Sequence, residues 1–247
     1  MRCLCPSSTD VYFNLATEEY LLKNSPEDYF ILWQSDRAVV IGKNQDAPAE
    51  ADLEYAKDNN LNIARRFSGG GAVYQDLGNL NLTFIESTDR IDFNTYINRV
   101  LSFLSSIGLT AKADERLGIT LNGLKISGSA QCVHKNRVMY HCTLLFSTEL
   151  DTLDRSLNGK TTSGLLPGTR QVRAVPSVRS QVTNINREMP HPPTLEKFKE
   201  TILQYFCKED IKNNCFYQKS QAELAGIEKL RNEKYARKEW IFDRKTL

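Results

Sequence analysis

Arg65 and Arg66 stand directly ahead of Ser68 and three consecutive glycines, Gly69, Gly70 and Gly71, and an alternating apolar stretch follows. Glycine has no Cβ, so a ligand can lie against its backbone, and positive φ is open to it. Successive N–H groups in such a turn can converge on an anion, and arginine adds charge-assisted donors for a carboxylate or phosphate. On the motif alone, a Gly-rich hairpin turn beside solvated arginines reads equally well. The glycines lie between two strand-like segments, residues 62–66 and 72–75. A P-loop needs G-x-x-x-x-G-K-[ST] opening a helix and a dinucleotide fingerprint needs G-x-G-x-x-G doing the same, so both are excluded. A second small-residue segment, Gly128-Ser129-Ala130-Gln131, follows a strand that carries Lys125.

The elements that must position these groups belong to an ordinary globular chain. Its 247 residues are 40% hydrophobic and 25% charged, with a formal charge of +2. That composition supplies a core and gives no case for bulk nucleic-acid binding. The six cysteines (Cys3, Cys5, Cys132, Cys142, Cys207 and Cys215) show no CxxC pairing and no dense disulfide framework. Cys3-x-Cys5 lacks the companion cluster a metal site needs. No signal-peptide pattern opens the chain, and no apolar run approaches the ~18 residues of a membrane span. A reducing cytoplasm is the expected setting.

Along the chain, Asn14 is placed to cap a helix over residues 14–23, with Glu18 and Glu19 in its first turns. Tyr29–Trp33 and Ala38–Ile41 read as strands of a hairpin joined by a polar turn, and residues 50–58 as one helix. Asp92 starts the clearest amphipathic helix, with Phe93, Ile97, Val100, Leu101, Leu104 and Ile107 on one face and Gly108 closing it. Asn122-Gly123 marks a hairpin between residues 117–121 and 124–127. A strand is expected over residues 138–146 and a short helix over 152–157. Residues 158–174, with Lys160, Arg170 and Arg173, read as a lid or binding loop. Helices are expected over 194–207 and 218–237. No repeat or linker composition divides the chain, so one α+β domain is the economical reading.

The combination Arg65-Arg66-x-Ser68-Gly69-Gly70-Gly71-Ala72-Val73-Tyr74-x-Asp76-x-Gly78-Asn79 resembles the signature of the lipoate–protein ligases. Lys125-Ile126-Ser127-Gly128-Ser129-Ala130-Gln131 is similar to that family's catalytic-lysine segment, and Ser177-Val178-Arg179-Ser180 with Thr183-Asn184 to a third block. The resemblance implies a mixed β-sheet packed with helices, of the biotin/lipoate ligase (class II synthetase-like) kind, as a single catalytic domain over residues 1–247. The small C-terminal accessory domain of longer members is not expected within it and would come from a separate chain or be lost by truncation. It also implies a reaction: lipoate and ATP give lipoyl-AMP and pyrophosphate, and a lysine of a lipoyl domain then takes the lipoyl group. Implied acceptors are 2-oxoacid dehydrogenase E2 subunits and the glycine cleavage H protein, with no nucleic-acid or membrane partner. Lys125 is the implied catalytic residue. Arg66, Ser68, Gly70, Gly71, Ala72, Val73, Tyr74, Asp76, Asn79, Ser129, Ala130 and His141 are implied substrate and nucleotide contacts; a satisfied core histidine is the other reading of His141. Val39, Val73 and Leu144 are candidate walls for the apolar dithiolane tail.

The chain departs from the family pattern in one place that matters. Members commonly show Arg-Asn-Asp before the lysine hairpin, a pair associated with the nucleotide and Mg²⁺, whereas this chain reads Asp114-Glu115-Arg116-Leu117. The Mg²⁺ ligands are therefore unassigned. Competing readings are an ATP-independent lipoyl or octanoyl transferase of the same fold, which needs a reactive cysteine, and a non-catalytic acyl-adenylate-binding protein. Cys132 and Cys142 match neither transferase position and are expected to be buried structural thiols. Biotin ligase is disfavoured because its Gly-Arg-Gly-Arg loop is absent.

Overall fold

The computed structural model describes residues 1–88, 92–159, 176–212 and 216–243. Its strands are β1 (Arg2–Leu4), β2 (Tyr29–Trp33), β3 (Ala38–Ile41), β4 (Asn62–Arg65), β5 (Val73–Gln75), β6 (Asn79–Ser87), β7 (Lys112–Ala113), β8 (Ile119–Leu121), β9 (Leu124–Ser127), β10 (Ser129–His134) and β11 (Arg137–Leu145). The helices are α1 (Val11–Asn24), α2 (Ala47–Glu50), α3 (Leu53–Asp58), α4 (Phe93–Ser106), α5 (Leu150–Ser156), α6 (Leu195–Phe206), α7 (Lys208–Lys212), α8 (Gln221–Leu230) and α9 (Lys238–Ile241). Five strands form the main sheet in the order β1-β2-β6-β11-β10, with β1 parallel to β2 and the other pairs antiparallel. Two three-stranded sheets, β4-β3-β5 and β7-β8-β9, complete an α+β fold.

The main sheet separates two chemical environments by the two-residue alternation of its strands. Leu80, Leu82 and Phe84 of β6 face a core built with Val100, Phe103 and Leu104 of α4 and Phe198 and Ile202 of α6. On the opposite face lie Asn81 and Thr83 of β6 and His141 and Thr143 of β11, polar yet buried. That face is covered by α1 and the C-terminal helices, whose Leu15, Leu22, Ile227 and Trp240 pack with Ile31 and Trp33. Each fully buried large side chain contributes roughly 1.5–3 kcal/mol. The core can therefore carry a polar row on one sheet face.

Several expectations are corrected. β2 and β3 do not pair: β2 lies between β1 and β6, and β3 between β4 and β5. Both strands are buried along their whole length, so no polar face distinguishes a hairpin from a crossing between sheets. Helix α1 starts earlier, at Asp10, whose carboxylate accepts the N–H groups of Tyr12 and Phe13. Asn14 is inside the helix, and its amide donates to Ser8 O and Gln34 O. Residues 47–58 form two helices, because Asp52 caps α3 through Tyr55 N. The small-residue segment after Lys125 is the edge strand β10. The last helical stretch breaks after α8 into a π-helical turn, Arg231–Tyr235, before α9. Cys3 and Cys207, 204 residues apart, form a disulfide that sequence spacing could not show. Of the expected lid or binding loop, residues 158–174, all but Asn158 and Gly159 lie outside the described residues. No helix among the described residues is long and apolar enough to cross a membrane.

Candidate active site

A cavity of about 620 Å³ opens where the edges of the three sheets meet, a size in the range of small-molecule sites. Its apolar lining comes from Leu15 of α1, Trp33 of β2, Val40 of β3 and Val73 of β5, beside the buried polar side chains of Asn81, His141 and Thr143. Its mouth is polar, formed by the glycine loop, Lys125 of β9, Ser129 of β10 and the segment from Ser177 to Ser180.

The glycine loop is held from below by Arg66, which is 5% exposed. Its Nη2 donates to Gly69 O (2.6 Å) and Gly71 O (2.7 Å), Nη1 to Val40 O (3.1 Å), and Nε to Ser68 Oγ (3.1 Å). Burial lowers the guanidinium's pKa to about 10, against the opposing pull of Glu18, so it stays charged at neutral pH. Gly70 adopts φ +88 and passes so close that a Cβ would lie 2.8 Å from Arg66 Nη2, which only glycine permits. The loop's far side is fixed by Ser177: its Oγ accepts Ala72 N (2.8 Å) and Gln45 Nε2 (3.0 Å), and its own N–H donates to Glu50. Arg65, fully buried, donates to Gly42 O, Gln45 O, Trp240 O and Ile241 O. It ties the C-terminal helices to the loop beside the glycines.

His141 sits in a chain of hydrogen bonds. Its Nε2 is 2.7 Å from Ser68 Oγ and its Nδ1 is 3.0 Å from Glu18 Oε2. An ionised Glu18 can only accept, so Nδ1–H donates to it, and Ser68 Oγ, which accepts from Arg66 Nε, has a proton of its own for Nε2. Glu18 also accepts from Trp33 Nε1 (3.2 Å) and Thr83 Oγ1. This order of groups looks like a hydrolase triad, but Ser68 has no exposure and is not part of the cavity wall. The chain of hydrogen bonds fixes the ring of His141, which also borders the cavity.

Lys125 is fastened through its backbone: Lys125 N donates to Gln181 O (2.8 Å) and Thr183 N to Lys125 O (3.0 Å), which lays the third sequence block alongside β9. Its Nζ lies 3.7 Å from Asp114 Oδ2. Burial pushes the Asp114 carboxyl up, but the N–H groups of Gly118 and Arg116 and the charge of Lys125 outweigh it and hold the group below the ordinary carboxylate range. Among the described residues no three His, Cys, Asp or Glu side chains converge as a metal cage. A Mg²⁺ entering here would depend on substrate phosphates for most of its ligands, its usual way of binding, and the donor set supplies no dedicated site.

Of the residues singled out from sequence, Arg66, Gly70, Gly71, Ala72, Val73, Tyr74, Lys125, Ser129, Ala130 and His141 surround this cavity. Ser68, Asp76 and Asn79 lie outside its wall. Asp76 instead accepts Gly78 N and Glu149 N (both 2.9 Å), closing a turn and opening α5, and Asn79 donates to Asn81 Oδ1. Val39 and Leu144 belong to cores elsewhere; their sequence neighbours Val40, Thr143 and Leu145 face the cavity, a difference of one residue that inverts the face of a strand. Cys142 borders the cavity and Cys132 lies on β10, but burial pushes both thiols up to about 12. Neither is a thiolate at neutral pH. Glu18, Trp33, Asn81 and Asp114 were not singled out. An acid three residues after Leu15 on the inward stripe of α1 was the available signal for Glu18.

The comparisons agree with this geometry. Residues 10–207 match the lipoyl protein ligase A/B catalytic domain family. Lipoate–protein ligase 1 of Staphylococcus aureus is 35% identical over 242 residues, covering 96% of this chain and 71% of that protein. A bi-partite lipoate protein ligase of Thermoplasma acidophilum, solved in a study that includes its E2 lipoyl domain, superimposes with a TM-score of 0.78 at 25% identity, over 100% of this chain and 97% of that one. A lipoate–protein ligase A bound with ATP gives 0.77 at 25% identity over 98% of both chains. The chain belongs to the lipoate–protein ligase family and has its α+β catalytic fold.

Proposed function

We propose that this protein activates lipoate with ATP and transfers the lipoyl group to a lysine of lipoyl-domain proteins. The observation that carries the reading is one cavity lined by apolar Leu15, Trp33, Val40 and Val73 together with Lys125 and the glycine loop. It suits an apolar acyl chain that ends in a carboxylate. In the first step a lipoate carboxylate oxygen attacks the α-phosphorus of ATP, an O–P bond forms, and pyrophosphate leaves. Two anions must approach, so fixed positive charge and oriented donors lower the barrier; Lys125 supplies the charge, as a compact ammonium. In the second step the acceptor lysine's amine attacks the acyl carbon, AMP departs, and the amine loses a proton. Arg66 acts by shaping the loop that receives the adenylate, and His141 by holding one wall of the acyl site. When bound, Mg²⁺ would neutralise phosphate charge.

The acceptors on this reading are E2 lipoyl domains and the glycine cleavage H protein. The test is lipoate-dependent pyrophosphate release from ATP, followed by mass gain of a purified lipoyl domain. Lys125→Ala should reduce both by ~10²-fold or more, while the Cys132→Ala/Cys142→Ala double variant keeps them. Lipoyl transfer that needs a cysteine and proceeds without ATP would overturn the ligase reading in favour of a thioester transferase.

A further inference from the structure

The turn before the lysine hairpin is built on Asp114, and its two carboxylate oxygens divide their work. Oδ1 accepts the N–H groups of Arg116 (2.8 Å) and Gly118 (2.7 Å), and the backbone N–H of Asp114 donates to Gly118 O (2.8 Å). Oδ2 faces Lys125 Nζ at 3.7 Å. That separation is too long for a hydrogen bond but short for two opposite charges. Among the described residues the Lys125 ammonium has no hydrogen-bond acceptor, so Asp114 holds it by charge and leaves its donors uncommitted.

The turn is also held against local preference. Leu117 adopts φ 59, a left-handed conformation uncommon for a residue that is not glycine. Ser129 of the cavity wall donates to Leu117 O at 2.6 Å and pins it there. At Gly118 a Cβ would lie 2.5 Å from Asp114 Oδ2 and 2.9 Å from Lys125 Nζ. Only a glycine leaves the carboxylate and the ammonium room to approach over the backbone. Strain of this kind persists where the surroundings over-determine it, and such places cluster at functional sites.

We propose that Asp114, seated in a turn strained at Leu117 and opened by Gly118, is a positioning residue that aims the Lys125 ammonium at the anions of the adenylation step. The inference rests on the ligase reading of Lys125. Because Asp114 is itself negative, it does not favour ground-state binding of ATP or lipoate. Its benefit lies in presenting the lysine in place at the moment charge develops.

Two variants separate this role from a structural one. Asp114→Asn keeps Oδ1 and the turn it closes and removes only the charge at Oδ2. Gly118→Ala keeps the carboxylate but drives a methyl between two flexible side-chain ends, which move apart. Both should lower kcat for lipoyl-AMP formation by about 10- to 100-fold with KM for ATP unchanged or reduced, and with melting temperature within ~2 °C of the parent. Asp114→Ala, which loses the turn as well, should melt lower. Wild-type kcat in Asp114→Asn would overturn the proposal, and so would a loss accompanied by a rise in KM for ATP or by the same melting shift as Asp114→Ala. Formation of lipoyl-AMP by the unaltered protein is measured first. Its absence would remove the ligase reading itself, whereas its presence with an unaffected Asp114→Asn removes only the role of Asp114.

Discussion

Ser68 shows how a buried hydroxyl can matter without touching substrate. It accepts from Arg66 Nε and lies 2.7 Å from His141 Nε2, so one oxygen joins the loop-forming arginine to the histidine wall. Ser68→Ala should cost ~1–3 kcal/mol in urea unfolding, the usual penalty for stranding a buried polar partner, and should also weaken lipoate binding as the His141 ring loosens. Unchanged stability would mean that water replaces the hydroxyl. Lys125, the glycine loop and Ser129 were legible from sequence as cavity residues because their types and order form blocks. Glu18 and Asp114 were not, because their importance comes from neighbours that only folding supplies: Glu18 meets His141 across 123 residues, and Asp114 meets Lys125 over a hairpin. Asp76 shows the reverse case. It stands inside the recognisable block, yet its carboxylate is spent on the N–H groups of a turn and a helix start.

Among the elements, helix α1 has a divided task. Glu18 points to the site and Glu19, the next residue, points to the C-terminal helices. Glu19 is 2% exposed and accepts from Lys23 (2.6 Å), Lys234 (2.6 Å) and the Tyr235 hydroxyl (2.5 Å). The sequence places both acids in the first turns of a helix, and helical position alone cannot show what covers each face. Burial raises the Glu19 carboxyl, but Lys234, Lys23 and Tyr235 together hold it below its ordinary value of 4.5. A depressed carboxyl stabilises the fold above its unfolded pKa, and this contribution is lost as pH falls through the folded value. Glu19→Gln should therefore lose ~3 kcal/mol at pH 7, with the gap to the parent narrowing below about pH 4. Urea midpoints at several pH values measure this, and a gap that fails to narrow on acidification would assign the loss to packing instead. Amphipathic α4 and the Asn122-Gly123 hairpin were read correctly because each carries its signal locally. Asn122 at φ 52 and Gly123 at φ 82 are the left-handed pair such a turn demands. The pairing of β2 and β3 could not be read, since strands buried on both faces give no register clue.

At the scale of the whole molecule, the two chain ends are joined to the body by different chemistry. The Cys3–Cys207 bridge closes a loop of 204 residues, and by restricting the unfolded chain it should contribute ~2–4 kcal/mol. Reductant should lower the denaturant midpoint accordingly, and Cys3→Ser/Cys207→Ser should match the reduced protein. An equal midpoint with and without reductant would show that the bridge adds nothing in solution. At the other end, Arg65 reaches 175 residues forward to the carbonyl of Trp240, and the Trp240 indole donates back to Arg65 O at 2.8 Å. Synthesis runs from the amino end, so a nascent chain emerges with its glycine loop and its lysine hairpin long before it has made the carbonyls Arg65 needs. The guanidinium must wait, hydrated, until residues 240 and 241 have been made. The loop beside the glycines is therefore set late, and a ribosome stalled near residue 230 would display Lys125 and the glycine loop and still hold an unfinished cavity wall.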